Sequence, residues 1–182
     1  MKSVLISIQP KWCELIASGK KTVEVRKTKP KLETPFKVYI YQTKHREHNG
    51  PTYSDGKVIG EFMCDKIFTI QYRCGSYRCE GLTVHENDRI AAASQLSLYD
   101  MRNYLSCNGG YAWHISDLVI YKRPKLLGWF QKPCICKNEY EGEEYSDCFF
   151  CDLASDSDYG IIACNRPIKK PPQSWCYVEE VE

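Results

Sequence analysis

Two groups of residues have the types and spacing to do chemistry. In Gly19-Lys20-Lys21-Thr22-Val23-Glu24-Val25-Arg26 a lysine, a carboxylate and a guanidinium fall within one short stretch. Strand alternation puts Glu24 and Arg26 on one face with Thr22, and Val23 and Val25 on the other. Lys21 stands at the strand's start, where its long stem can reach the same neighbourhood. Such a trio can bind a phosphate, read a base edge or shuttle a proton. On composition alone, a solvated strand face carrying ordinary ion pairs is the simpler account.

The second group is Cys134-Ile135-Cys136 and Cys148-Phe149-Phe150-Cys151, a C-x-C and a C-x-x-C pair with eleven residues between them. Two close pairs of soft ligands joined by a loop suit tetrahedral zinc, and the surrounding segment has few aliphatic residues with which to build a core. We expect a structural Zn²⁺ on Cys134, Cys136, Cys148 and Cys151. Four thiolates leave no open position for substrate, so a catalytic role for that metal is not expected. Free thiols are the plainer alternative. Cys74 and Cys79, with His85 or Cys107, are too loosely spaced for a second site and read better as buried thiols.

The chain has 182 residues, enough for one core and too few for two ordinary domains. With 43% hydrophobic and 26% charged residues it is neither disordered nor fibrous. No apolar run is long enough to span a membrane. Lys2 before a short Val4-Leu5-Ile6, then Pro10, is not a signal-peptide pattern, and we expect a cytoplasmic protein. Eleven cysteines in a reducing compartment argue for metal or chemistry before disulfides. The net charge of +2 hides a polarity: residues 1–46 hold eleven Lys/Arg and three Asp/Glu, whereas residues 137–158 hold one Lys and eight Asp/Glu.

The elements that must position these groups follow from periodicity. Val4 to Ile8 reads as a buried strand. Pro10 suits the first turn of a helix through Trp12, Leu15 and Ile16, which Gly19 ends. Thr22 to Arg26 is a strand, Phe36 to Thr43 another, His45 to Gly56 loop and turn, and Lys57 to Tyr72 mostly strand with a bend near Cys64-Asp65. Residues 73–92 are ambiguous. Ser94 is read as the cap of a helix through Leu96, Met101 and Leu105. Tyr111 to Tyr121 reads as one or two strands, interrupted by Pro124, and Trp175 to Val178 as the last. This predicts an α+β fold, a small mixed β-barrel with two flanking short helices. It forms one domain over residues 1–182, with 130–160 as a Cys-rich acidic insertion.

Gly19-x-Lys21-x-x-Glu24-x-Arg26 resembles the signature of the ASCH domain, a relative of the PUA RNA-binding domain. The strand before the motif, the Trp-containing helix, Tyr111-Ala112-Trp113-His114-Ile115 and Pro171-Pro172-Gln173-Ser174-Trp175-Cys176-Tyr177 resemble the small ASCH proteins of bacterial and prophage genomes. The resemblance implies a PUA-like barrel with a cleft beside the first helix, used for RNA or modified nucleotides. Some members are ribonucleases, and one bacterial branch hydrolyses N4-acetylcytidine. Lys21 matches the lysine of that branch, but Glu24 stands where it has a threonine nucleophile, so an acyl-threonine mechanism is not transferred. Glu61 is the candidate for a second acid. Residues 130–160 are not explained by the resemblance.

Around the cleft we expect Lys11, Trp12, Lys21, Arg26, Tyr41, Lys44, Tyr111 and His114 to touch nucleic acid, with an aromatic stacking a base. Trp12 is equally a core candidate, and with Trp113 and Ile115 facing the core His114 points outward. Three functions are weighed. The first is an RNA- or nucleotide-binding module with a basic cleft. The second is a metal-independent ribonuclease or nucleoside-modifying hydrolase, with Lys21 stabilising developing charge and Glu24 or His114 moving the proton. The third is a prophage factor that grips a protein partner through the acidic zinc-bearing insertion.

Overall fold

The computed structural model describes residues 2–46, 52–54, 56–73, 75–133 and 167–180. The first strand, β1 (Ser3–Ile8), is buried along its whole length. It runs parallel to β3 (Phe36–Gln42) and antiparallel to β12 (Trp175–Glu180) near the middle of a six-stranded sheet. The sheet's order is β10 (Ser116–Lys125), β6 (Lys57–Cys64), β3, β1, β12, β11 (Phe130–Gln131). A strand covered on both faces reads as an unbroken apolar run, which is why Val4 to Ile8 lacks alternation.

The two faces of this sheet carry different cores. Val4, Ile6 and Ile8 join Val38, Ile40, Phe62 and Trp113 beneath the first helix. Leu5 joins Tyr39, Tyr41, Val58, Phe130, Ile168 and Val178 on the other side. Phe130 and Ile168 are both buried there, so the chain leaves this core before residue 134 and has rejoined it by Ile168. Phe130 and Gln131 therefore belong to the sheet, and not to an insertion that starts at 130. Residues 134–166, with Cys134, Cys136, Cys148 and Cys151, lie outside the described residues; structural zinc on them remains an expectation of the sequence.

A second sheet has the order β2 (Val23–Arg26), β9 (Gly110–His114), β7 (Ile67–Arg73), β8 (Ser76–Cys79). The sheets meet at corners where β6 turns into β7 and β9 into β10. His114 N–H donates to Lys66 O at 2.9 Å there, and Ile115 N–H to Thr22 O at 2.9 Å. Gly110 is required at the start of β9, because a Cβ would come within 2.8 Å of Arg26 O and of the Leu105 side chain. The architecture is mixed α+β and PUA-like, with three helices where the periodicity implied two.

The additional helix is α2 (Val84–Ser94), in the ambiguous stretch. Only Ser94 of it is buried, so it has little apolar stripe to read. Its signal is the capping box Thr83-x-x-Glu86, which satisfies two otherwise orphan N–H groups. Ser94 ends α2 and does not cap the next helix. That role falls to Ser97, paired with Asp100 at the start of α3 (Leu98–Leu105). Pro124 does not break β10, because an edge strand tolerates a residue without an N–H. The stretch read as loop holds a short ribbon, β4 (His45–Arg46) with β5 (Thr52–Ser54). Among the described residues no helix is long and apolar enough to cross a membrane.

Candidate functional site

The first helix, α1 (Pro10–Ala17), starts on proline and ends at Ser18, with Gly19 at φ +72°. A left-handed residue just past a helix reverses the chain, and glycine adopts it without steric cost. The reversal lets Lys21 N–H donate to Leu15 O at 2.9 Å, which tucks Lys21 back against the helix. The glycine and lysine of the motif are thus linked by backbone geometry.

β2 then runs between two layers. Val23 and Val25 pack with Ile70, Met101, Leu105 and Ala112 under α2 and α3. Glu24 and Arg26 face the other way, opposite Trp113 and Tyr111 of β9 in register. All three charged side chains are buried: Lys21 is 2%, Glu24 7% and Arg26 6% exposed. The plain account, a solvated strand face, does not hold.

The carboxylate bridges the two cations. Glu24 Oε2 lies 3.3 Å from Lys21 Nζ, and Glu24 Oε1 lies 3.0 Å from Arg26 Nη2. Lys21 Nζ also donates to Ser94 O at 2.6 Å, and Arg26 Nη2 to Ser7 O at 2.7 Å. Burial lowers the Lys21 pKa from its ordinary value, and Glu24 opposes that shift. Two cations against one carboxylate leave the trio with an excess positive charge, and Arg26 Nε–H is buried without an acceptor. Such groups are costly unless something answers them.

What could answer them has room to approach. The trio lines a cleft of about 710 Å³ beside α1, within the range of small-molecule sites. Lys11 and Trp12 form one wall, with Lys11 Nζ 4.4 Å and Lys21 Nζ 5.3 Å from the centre of the Trp12 ring. Asp100, Asn103 and Tyr104 of α3 form another, and Pro171-Pro172-Gln173 a third. Ser7 Oγ–H ties the last wall down by donating to Pro172 O at 2.6 Å.

Of the residues expected at the cleft, Lys11, Trp12, Lys21, Glu24 and Arg26 come together, and four do not. Tyr41 is buried in the core on the far face of the sheet, because Ile40 takes the cleft-side position and alternation sends its neighbour across. Lys44 is exposed beyond the end of β3, its stem beside Gly56. Tyr111 sits next to Arg26 across the β2–β9 pair without lining the cleft. His114 points outward at the sheet corner, where Nδ1 meets Asp65 Oδ1 at 2.6 Å. Glu61, the candidate second acid, is held by Lys37 at 3.0 Å and by the Tyr121 hydroxyl, and none of these three lines the cleft.

Sequence reasoning missed the walls from α3 and from residues 171–173. The readable signal for the latter was the Pro-Pro pair just ahead of a strand that pairs with β1. For α3 there was none beyond its own periodicity. Among the described residues no three His, Cys, Asp or Glu converge on a metal-holding arrangement, so Cys79 and Cys107 do not form one with described partners.

A mixed α+β fold with a charged cleft beside its first helix defines a PUA-like domain. The ASCH domain model matches residues 6–104, more than half the chain, and the chain belongs to the ASCH domain family. ASCH domains are in general nucleic-acid-binding PUA-like domains. The fold is similar to the crystal structure of ASCH from Zymomonas mobilis at 19% identity and a TM-score of 0.55, covering 99% of this chain and 98% of that one. A tyrosine-to-phenylalanine variant of the Zymomonas mobilis protein gives 19% identity and 0.56, covering 98% and 91%. At that identity the likeness concerns the fold alone. No curated protein matches the chain.

Proposed function

We propose that the chain binds RNA by taking one base, or a nucleotide, into the cleft beside α1. The observation that carries this reading is the buried Lys21–Glu24–Arg26 trio, with an excess positive charge and an unanswered Arg26 Nε–H at the wall of an open cleft. An acceptor-rich ligand, a base carbonyl or a phosphate, would satisfy both. Trp12 and Tyr104 supply aromatic surface for a base, which single-stranded RNA can present and duplex RNA cannot.

Fluorescence anisotropy with a labelled single-stranded RNA tests this. Binding is expected at low salt and to weaken as salt rises. Lys21→Ala and Arg26→Ala are each expected to weaken it at least about tenfold, the scale of losing a charge-assisted hydrogen bond. Binding that is absent at low salt, or unmoved by both changes, would sink the proposal.

A ribonuclease or hydrolase reading rests on Lys21 and Glu24, since His114 does not line the cleft. Binding is the better-supported reading because each member of the trio is held by protein partners that fix it as a recognition surface.

A further inference from the structure

The cleft does not end at Arg26. The next residues run Lys27-Thr28-Lys29-Pro30-Lys31, with no acidic residue among them. Lys27, Lys29 and Lys31 are exposed, whereas Pro30 is buried and anchors the segment. Lys27 Nζ lies 5.3 Å from the centre of the Tyr104 ring, and Tyr104 is a wall of the cleft. Lys29 Nζ lies 5.4 Å from the centre of the Tyr111 ring, and Lys31 N–H donates to the Tyr177 hydroxyl at 2.7 Å. Trp175 Nε1–H donates to Thr28 Oγ1 at 3.0 Å. A basic segment is thus pinned at three points to α3, β9 and β12.

We infer that residues 27–31 form a rail for the sugar-phosphate backbone of the strand whose base occupies the cleft. The inference rests on the function proposed above and narrows it: the ligand is a base within a single-stranded RNA chain, not a free nucleoside. Three observations favour this occupant. The lysines continue without a gap from Arg26 at the cleft wall. They alternate along the chain, so neighbours are at most about 7 Å apart, the scale of one step of an extended single strand. Their backbone is held in place before any ligand arrives, so little ordering cost attends binding.

The test compares the full chain with a Lys27→Gln/Lys29→Gln/Lys31→Gln variant. All three side chains are exposed, so the fold is expected to be intact, with thermal unfolding as the check. The probe is a fluorescein-labelled twelve-nucleotide single-stranded RNA, titrated from about 20 to 200 mM salt. Each single-strand phosphate contact contributes about 0.7 to the slope of log affinity against log salt, so the variant should lose about 2 from that slope. Cytidine and uridine, lacking a backbone, should bind both proteins equally.

A Lys122→Gln/Arg123→Gln variant on exposed β10 controls for bulk charge and should leave the slope nearly unchanged. An unchanged slope in the 27–31 variant, with Arg26→Ala still weakening binding, overturns the rail and leaves the cleft reading standing. Equal slope loss in the β10 control also overturns it. If the 27–31 variant loses slope but Arg26→Ala has no effect, the rail holds and the cleft reading fails.

Discussion

Replacing Glu24 with alanine is expected to destabilise the protein by about 3–5 kcal/mol, the usual cost of removing one partner from a buried ion pair. Glu24 is the counter-charge to both Lys21 and Arg26, and all three lie under 10% exposed. Without it two cations stay in a low-dielectric site with only the Ser94 and Ser7 carbonyls as partners. Denaturant unfolding of the variant measures the loss. A control separates charge from packing. Lys21→Met/Glu24→Leu/Arg26→Met removes the whole network and is expected to be near neutral or stabilising, as for other buried networks replaced by apolar residues. If Glu24→Ala costs less than about 1 kcal/mol, the trio is better solvated than its burial implies.

Stability is also expected to fall steeply above pH 9. Burial pushes the thiols of Cys13 and Cys64 up to about 12 and that of Cys79 up to about 11, from an ordinary value of 9.0. Glu24 raises Cys13 further, and Asp65 does so for Cys64. Between pH 9 and 11 the unfolded chain loses these protons and the folded chain keeps them, so unfolding gains free energy as pH rises. Each such thiol weakens the fold by up to about 1.4 kcal/mol per pH unit in that window. Lys21 works in the opposite sense, since its lowered pKa makes the folded chain release a proton first. Three thiols outweigh one lysine. Denaturant unfolding between pH 8 and 11 should show the drop, and Cys13→Ala/Cys64→Ala/Cys79→Ala should flatten it, whatever that variant's stability at pH 8.

How much of this was legible in the sequence depended on the range of the interaction. Gly19, Lys21, Glu24 and Arg26 could be read together because a left-handed turn and strand alternation act over a few residues. Trp113 and Ile115 inward with His114 outward followed from the same alternation. Tyr41 was misplaced because both faces of β3 are covered, so alternation says that Tyr39 and Tyr41 share a side without saying which side holds the cleft. The partner of Lys21, the Ser94 carbonyl, lies 73 residues away at the end of a helix with almost no apolar stripe. Nor does a local pattern reveal that residues 171–173 close the cleft, since that depends on β12 pairing with β1.

The central claim is that the cleft beside α1 receives a base of single-stranded RNA. Photocrosslinking with a 4-thiouridine-substituted single-stranded RNA, followed by mass spectrometry of the adducts, tests it most directly. Adducts on Trp12, Lys21 or Tyr104, lost on competition with unlabelled strand, are the expected result. Adducts confined to β10 or to the exposed face of α2, with none on the cleft walls, would contradict it.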